Sequence, residues 1–293
     1  MTFREVTGVA QGSRLSIMIR SAPFPAAVRV TTLAVREHEA RAATREIAEE
    51  TAVAFVYDGG AEAVMMATPA DLEDFALGFS LNDGVVAEAS EIRDLEIVPQ
   101  ADGVELRIWL RADRGQTLTG RRRARAGPTG CGLCGVESLA DAMRAPSQVN
   151  SNFRVPAEAI VTAMRDLAAR QPLNLQTRAV HAAALFVPGE GIVAVREDAG
   201  RHNALDKLAG ALARMGRRAA DGVVLMTSRV SVELVQKAAV MGAPVLAAVS
   251  APTALALRTA ERAGITIVGV VRDDGLEVFT HAARITTADS GGR

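Results

Sequence analysis

Cysteine and aromatic residues are scarce in this chain of 293 residues, which contains two Cys, one Trp and one Tyr. Two cysteines cannot build a disulfide framework, and so low a number is typical of proteins in a reducing cytosol. The lack of aromatic side chains argues against a surface that stacks nucleic-acid bases. Since Arg4 and Glu5 interrupt the N-terminus and no apolar run long enough for a signal peptide follows, we expect a cytoplasmic protein.

Net charge is also nearly absent, because 33 basic residues are balanced by 34 acidic ones. The chain as a whole is therefore not suited to coat nucleic acid or an anionic membrane. Residues 238–257 carry no charge and have the length of a membrane span, but Pro244 and Pro252 would break a continuous helix. We expect neither a nucleic-acid partner nor a membrane partner.

Both cysteines lie in one glycine-framed segment, residues 130–135, whose letters read GCGLCG. The spacing of Cys131 and Cys134 brings two sulfurs within reach of one metal ion, one disulfide or one shared sulfur atom. The basic block at 121–125 would favour thiolate over thiol if it folds back toward them. The spacing alone leaves open a reactive thiol pair and half of a zinc site.

Three known uses of such a pair fit this sequence poorly. A closed zinc site needs about four ligands, and no second Cys-x-x-Cys exists, so histidines or a second subunit would have to contribute. A thioredoxin-like pair is expected at a helix start just after a strand, whereas this pair follows a loop rich in Arg and Gly. A zinc deaminase has His-x-Glu before its Cys pair, whereas here Ala183 follows His181 and the Cys pair comes first, so a working deaminase is disfavoured.

The hydrophobic pattern predicts four regions. We expect a loosely ordered arm over 1–45, a smaller α+β region over 46–150 that carries the Cys loop, an α/β domain over 151–286, and a tail over 287–293. In the second region the pattern predicts hairpins at 53–66 and 92–110, with a helix between them that starts at Thr68 as N-cap. Residues 111–138 lack strong periodicity, which is more typical of a functional or mobile segment than of a structural one.

Strands and helices alternate through the C-terminal half. Strands are predicted at 181–187, 192–196, 223–226, 245–249 and 266–271, and helices at 156–170, 204–215, 231–241 and 253–263. Alternation of this kind is the signature of a parallel sheet with crossover helices, so we predict a layered α/β fold.

Polar residues follow several of these strands, at 197–203, 226–231 and 249–253. Ligands of open α/β sheets bind at the carboxyl ends of the strands, where helix N-termini offer free amides. Arg201, Ser228, Arg229 and Ser250 are therefore candidates to bind an anionic ligand such as a nucleotide phosphate. Helix capping would explain the serines equally well, and ion pairs with Asp198 or Glu233 would explain the arginines.

Six separated motifs stand out along the chain. They are the run 121–137 (RRRARAGPTGCGLCGVE), HAAA at 181–184, EDAGRH at 197–202, ALDK at 204–207, Ser228-Arg229, and VQK at 235–237. In this order they resemble the motifs of the formate dehydrogenase accessory sulfurtransferases, and the similarity runs from about residue 50 to the C-terminus.

This resemblance implies a function and a fold. The family has a cytidine deaminase-like core without deaminase activity. A cysteine desulfurase passes it sulfur as a persulfide, and the protein hands this sulfur to the molybdenum of bis-molybdopterin guanine dinucleotide, which formate dehydrogenase requires. The match implies that Cys131 carries the persulfide and that Cys134 assists or receives sulfur. The family also suggests a homodimer, and GDP as a partial mimic of the cofactor.

The resemblance further places a cofactor-contacting segment at Val270, Val271, Arg272, Asp273, Asp274 and Gly275. This chain departs from the family pattern at Val270, where Phe is frequent, and at Asp273 and Asp274, whose charges would repel phosphates. The alternative function that the sequence leaves open is a zinc-stabilised nucleotide-binding module without sulfur transfer.

Overall fold

The computed structural model describes residues 24–111 and 145–287, together with three short strands near the N-terminus. Cys131, Cys134, the basic block 121–125 and all but the first residue of the predicted tail lie outside the described residues. The described residues form two packed units, one built from residues before 111 and the other from residues after 145.

The first unit is a mixed sheet covered on one face by helix α1 (Leu72–Asn82). Its strand order is β1-β3-β8-β9-β6-β7, with β2 beside β3. The strands are β1 (Arg4–Glu5), β2 (Gly8–Ala10), β3 (Ser13–Ile19), β6 (Thr51–Tyr57), β7 (Gly60–Ala67), β8 (Ile92–Gln100) and β9 (Gly103–Leu110).

Alternate residues of β6 point into the core of this unit, because side chains of a strand alternate between its two faces. Phe55 is fully buried there, with its ring stacked on that of Phe79 at 4.1 Å and edge-on to that of Phe75 at 5.0 Å. The two predicted hairpins, β6–β7 and β8–β9, are confirmed.

The predicted start of α1 is wrong. The helix begins at Leu72, and its N-cap is Asp71, in a left-handed conformation with φ 53°. The Thr68 hydroxyl does not cap α1, because it accepts a hydrogen bond from the backbone N–H of Ala199 at 3.0 Å in the second unit. A contact between the two units therefore uses the hydroxyl that the local sequence would assign to helix capping.

The predicted arm over 1–45 is also wrong for its second half. Strands β4 (Ala27–Arg36) and β5 (Glu39–Ala48) form a long antiparallel hairpin. Its turn residues, Glu37 and His38, both have positive φ, which is the geometry of a type I′ turn. Neither residue is the Asn or Gly that usually signals such a turn. Neither face of the hairpin is deeply buried, so its strands need no strict alternation of apolar and polar residues.

The second unit is a six-stranded sheet in the order β12-β11-β13-β14-β15-β16. The three strands β13, β14 and β15 are parallel, and the outer pairings are antiparallel. The sheet strands are β11 (His181–Val187), β12 (Gly191–Asp198), β13 (Val223–Met226), β14 (Val245–Ala248), β15 (Thr266–Arg272) and β16 (Gly275–Val278). A separate short pair joins β10 (Val155–Pro156) to β17 (Ile285–Thr286).

Helices cover both faces of this sheet, as the predicted layered α/β fold requires. One face packs on α4 (Arg201–Arg214), α5 (Val232–Val240) and α6 (Ala254–Ala263), and the other on α2 (Ala157–Ala169). A short helix, α3 (Pro172–Thr177), was not predicted. Across the residues that the structure describes, no helix is both long and apolar enough to cross a bilayer.

The two units are joined where α1 crosses α4. A β-carbon at Gly78 would lie 1.7 Å from the carbonyl oxygen of Asp206, and one at Gly210 would lie 1.9 Å from that of Asp74. Each helix therefore places a glycine against the main chain of the other, and the backbones touch directly. This contact sets how closely α1 and α4 approach each other.

We expect Gly210→Ala to destabilise the protein by about 3 kcal/mol or more, because the new methyl group would force the two helix backbones apart. The matched control is Gly216→Ala, which has φ 64° and open space around it, and which we expect to cost only about 1 kcal/mol from backbone conformation. Urea unfolding measures both. Equal losses for the two variants would contradict the close helix crossing.

Candidate functional site at the strand ends

The predicted ligand-binding residues, all of which the structure describes, lie at one edge of the six-stranded sheet, whereas the predicted catalytic residues Cys131 and Cys134 lie outside the described residues. β13, β14 and β15 are parallel and end at this edge. The antiparallel strand β11 starts there, since Ala183 pairs with Met226, and β12 ends there, since His181 pairs with Asp198. Arg201, which opens α4 directly after β12, therefore shares the edge with the residues that follow the parallel strands.

Ser228, Arg229 and Ser250 follow β13 and β14 at this edge. Ser228 is buried, and its hydroxyl donates to the carbonyl of Arg229 at 3.0 Å. The Arg229 side chain is exposed, and Ser250 is half-buried, with its carbonyl accepting from the Val270 N–H at 3.4 Å. The Ser228 hydroxyl already donates its hydrogen to the carbonyl of Arg229, so it can only accept a hydrogen bond from a ligand. The charge of Arg229 faces solvent.

The predicted cofactor segment forms a distorted hairpin between β15 and β16. Pairing shifts register between Gly269 and Arg272, and Val270 inside this bulge has φ 51°. A left-handed conformation is a clear outlier for a β-branched residue, and strain of this kind concentrates at functional positions. Gly269 is needed beside it, because a β-carbon there would lie 2.9 Å from the Phe279 ring.

The Arg272 guanidinium spans the ends of two parallel strands. Its Nη1 donates to the carbonyl of Val249 and, at 2.8 Å, to that of Val271. These bonds use one nitrogen, and a guanidinium has further N–H donors in a fixed plane. Arg272 is therefore an exposed cation held in position at the strand ends.

Asp273 and Asp274 are both exposed, as is Gly275 in part. Asp273 forms an ion pair with Arg165 of α2 at 3.2 Å. This contact directs one of the two carboxylates toward a cation and reduces the repulsion that the pair would exert on a phosphate, although exposed pairs are weak.

A buried ion pair that the sequence analysis did not identify lies beneath this edge. Lys207 Nζ lies 2.6 Å from Asp198 Oδ2, and both side chains are fully buried. The ammonium also donates to the carbonyl of Thr68 at 2.9 Å and lies 5.6 Å from the centre of the Phe75 ring. The backbone N–H of Thr68 donates to Asp198 at 3.1 Å. The pair therefore joins the first unit to the second.

Further polar contacts extend this junction along α4. Asn203 donates to the carbonyl of Met66 at 2.8 Å and to Asp198 at 3.0 Å. One turn on, Asp206 accepts from Asn82 at 2.8 Å and pairs with Lys237 of α5 at 2.8 Å. No local pattern signals this burial, because Asn203, Asp206 and Lys207 fall on the polar side of an ordinary amphipathic helix.

His181 is the half-buried imidazole at the start of β11. Its pKa lies below the ordinary value of 6.5, chiefly because burial disfavours the charged ring and also because Arg201 repels the proton. Asp198 acts in the opposite direction and is outweighed. The edge of the sheet thus carries a neutral imidazole beside its arginines at neutral pH.

Two further cavities lie away from this edge. Two adjoining cavities of about 520 and 390 Å³ are lined by residues 148–154 and 281–284, at the opposite edge of the sheet. Carbonyls at the end of α6 accept hydrogen bonds there from Gln148 and the Val149 N–H and contact His281. Within the described residues, no three His, Cys, Asp or Glu side chains are grouped as metal ligands would be.

Lys207→Met should destabilise the protein by about 3 kcal/mol or more, because it leaves the Asp198 carboxylate buried without its partner. Arg218→Met is the matched control, since Arg218 pairs with Asp221 at the surface, and should change stability little. Adding Asp198→Asn to Lys207→Met should recover part of the loss in urea unfolding. A Lys207→Met variant as stable as the control would contradict this account.

The lowered pKa of His181 predicts a pH dependence. A histidine whose folded pKa is depressed stabilises the fold above its unfolded pKa, and this stabilisation is lost as pH falls through the folded value. Between about pH 7 and about pH 5, wild type should therefore lose more unfolding free energy than His181→Gln. Urea titrations at several pH values measure the difference, and parallel declines in both proteins would refute it.

Comparison with known proteins places these features in a family. A profile of the FdhD/NarQ family matches residues 48–286. The sulfur carrier protein FdhD of Agrobacterium fabrum is 51% identical over 258 residues, covering 88% of this chain and 95% of the relative. That of Cupriavidus necator is 52% identical over 240 residues, covering 82% and 83%.

A solved structure agrees with the sequence comparison. The crystal structure assigned to a formate dehydrogenase accessory protein of Desulfotalea psychrophila superposes with a TM-score of 0.69 at 26% identity. The match covers 89% of this chain and all of the other. The mixed α/β fold with its separate sheets is therefore shared along nearly the whole length, and the chain belongs to the FdhD/NarQ family.

Proposed function

We propose that this protein is a sulfur carrier that serves formate dehydrogenase. The observation that carries the proposal is the identity of about half of all aligned residues, over more than four-fifths of both chains, with proteins named sulfur carrier protein FdhD. Identity at this level, maintained through both units, supports a shared activity as well as a shared fold.

Cys131 is the proposed carrier. Its thiolate attacks the terminal sulfur of a persulfide on a cysteine desulfurase, so the donor S–S bond breaks, a new S–S bond forms on Cys131, and the donor thiolate leaves. Cys134, three residues on, can then attack the Cys131 sulfur. The terminal sulfur then leaves as sulfide, having gained two electrons. The two cysteine sulfurs supply these electrons and form a Cys131–Cys134 disulfide.

The proposed acceptor of this sulfur is the molybdenum of bis-molybdopterin guanine dinucleotide, bound as substrate. The cationic edge described above supports this part of the proposal, because Arg201 and Arg229 follow β12 and β13 and Arg272 ends β15 at the same edge. Arg272 is held in position by main-chain carbonyls, and a guanidinium that is already ordered binds phosphate oxygens at a lower entropic cost. The strained Val270 belongs to the same edge.

The remaining parts of the proposal follow from the same family. They are a cytoplasmic homodimer, a cysteine desulfurase and formate dehydrogenase as protein partners, a cytidine deaminase-like arrangement of the core, and GDP as a mimic of one end of the cofactor. Arg201, Ser228, Ser250 and the segment 270–275 are the proposed contacts for that end.

Incubation with a cysteine desulfurase and cysteine should add the mass of one sulfur atom to the wild-type protein, and Cys131→Ala should abolish this addition. Cys134→Ala is the matched control, since it retains the proposed carrier and should still be loaded. Intact-mass spectrometry under non-reducing conditions makes the measurement. Loading of Cys131→Ala equal to wild type would contradict the carrier role.

Measurement of bound zinc distinguishes the sulfur carrier from the alternative, a zinc-stabilised nucleotide-binding module. Stoichiometric zinc that is lost equally in Cys131→Ala and Cys134→Ala, together with no sulfur loading of wild type, would favour the module over the carrier. A sulfur carrier should instead load sulfur without bound zinc.

A further inference from the structure

A half-buried arginine lies between the two cavities at the edge of the sheet opposite the strand ends. Ser151, Asn152, His281 and Arg284 line both cavities, which therefore adjoin as one polar groove. We call it the Arg284 groove. Its two halves enclose about 520 and 390 Å³, which are ordinary volumes for the binding site of a small molecule.

The guanidinium of Arg284 is held in a fixed position. Its Nε donates to the carbonyl of Ser151 at 3.2 Å, and its Nη1 donates to the hydroxyl oxygen of Thr266 at 3.2 Å. The Thr266 hydroxyl donates in turn to the carbonyl of His281 at 2.9 Å, so its orientation is also set. These bonds use two of the five N–H donors of a guanidinium. The remaining donors, including both on Nη2, lie in the same plane and can bind a ligand.

The charge of Arg284 is not balanced by an acidic side chain among the described residues. Arg196 and Arg214 are also half-buried, and each lies within 2.7 Å of the Asp74 carboxylate. Burial lowers the pKa of Arg284, and no described carboxylate opposes this effect. A cation that leaves water without a counter-charge costs free energy, and an anionic ligand would supply that charge.

The charged groups that line the groove limit the charge of its ligand. Among the described lining residues, Arg154 and Arg284 are the cations and Glu261 is the carboxylate. Glu261 lies 3.3 Å from Nε2 of His281. With a neutral imidazole, two guanidinium groups and one carboxylate leave one net positive charge. This charge matches a monoanion better than a doubly charged phosphate, which Glu261 would also repel.

Main-chain contacts hold the walls of the groove in place. The N–H of Val149 donates to the carbonyl of Ala263 at 2.8 Å, and Val155 pairs with Ile285 where β10 meets β17. His281 has φ 45°, a left-handed conformation that is uncommon outside glycine and recurs at ligand sites. A groove that is ordered before its ligand arrives loses less conformational entropy on binding.

We propose that the Arg284 groove binds a small monocarboxylate. A carboxylate is planar, so its two oxygens can accept neighbouring N–H donors of the guanidinium side by side. The exposed amides of Asn150 and Asn152 can donate to the same anion. The groove lies at the opposite edge from the proposed cofactor contacts, so this site is separate from them.

Titration of isotope-labelled acetate with the full-length protein, followed by NMR line broadening at constant ionic strength, tests the proposal. Wild type should bind saturably with a dissociation constant of about 1 mM, which is within the affinity limit for so small a ligand. Arg284→Gln should weaken binding by about tenfold or more. Arg284→Lys, which keeps the charge without the planar fork, should retain part of the affinity. Arg93→Gln, at an exposed arginine of the first unit, is the control and should bind as wild type does.

Broadening that does not saturate in wild type would overturn the proposal, as would unchanged affinity in Arg284→Gln. Inorganic phosphate is the competing anion. If phosphate binds more tightly than acetate at the same site, the carboxylate assignment is wrong.

A second variant keeps the test valid if Arg284→Gln does not fold, as judged by circular dichroism. Asn152→Asp places a carboxylate in the groove on an exposed side chain, and this carboxylate should pair with Arg284 and abolish acetate binding. Gln100→Glu adds the same charge at an exposed position of the first unit and should leave binding unchanged. Equal acetate affinities of these two variants would contradict the site.

Discussion

The buried contact between Lys207 and Asp198 is the interaction on which the arrangement of the two units depends. A charge removed from water needs a partner and further hydrogen bonds. Here Thr68 of the first unit supplies part of that requirement, through its carbonyl to Lys207 and its N–H to Asp198. The ion pair is therefore satisfied only when the two units are packed together, which couples the folding of each unit to its contact with the other.

The same contact orders the strand ends where we place the site. Asp198 is the last residue of β12, and it accepts from the Gly200 N–H at 2.7 Å and from Asn203. It thereby fixes the turn that leads into α4, and with it the positions of Arg201 and His202. The short segment 198–202 therefore carries a buried charge of the unit interface at its start and candidate site residues at its end.

Local patterns predicted most elements of the α/β unit from sequence, because its buried strands are short apolar runs bounded by turn residues. β13 was predicted at its exact bounds. Local patterns failed where a residue's partner is distant in sequence. Thr68 has the side chain of a helix cap, but its hydroxyl serves Ala199, and the β4–β5 hairpin turns at Glu37 and His38 without a turn signature.

The candidate site likewise has residues that the sequence could predict and residues that it could not. Arginines and serines after successive strands could be predicted as one edge, since topology alone brings strand ends together. The pair of Lys207 and Asp198 could not, because only coordinates show that both side chains are fully buried beneath this edge.

The glycine crossing of α1 and α4 restricts how this protein can evolve. Side-chain contacts tolerate gradual change, because a neighbour can shrink as another grows. At Gly78 and Gly210 the neighbour is main chain, and main chain offers no smaller alternative. A side chain at either position would have to displace a helix of the other unit, so a substitution on one side of the crossing is felt on both.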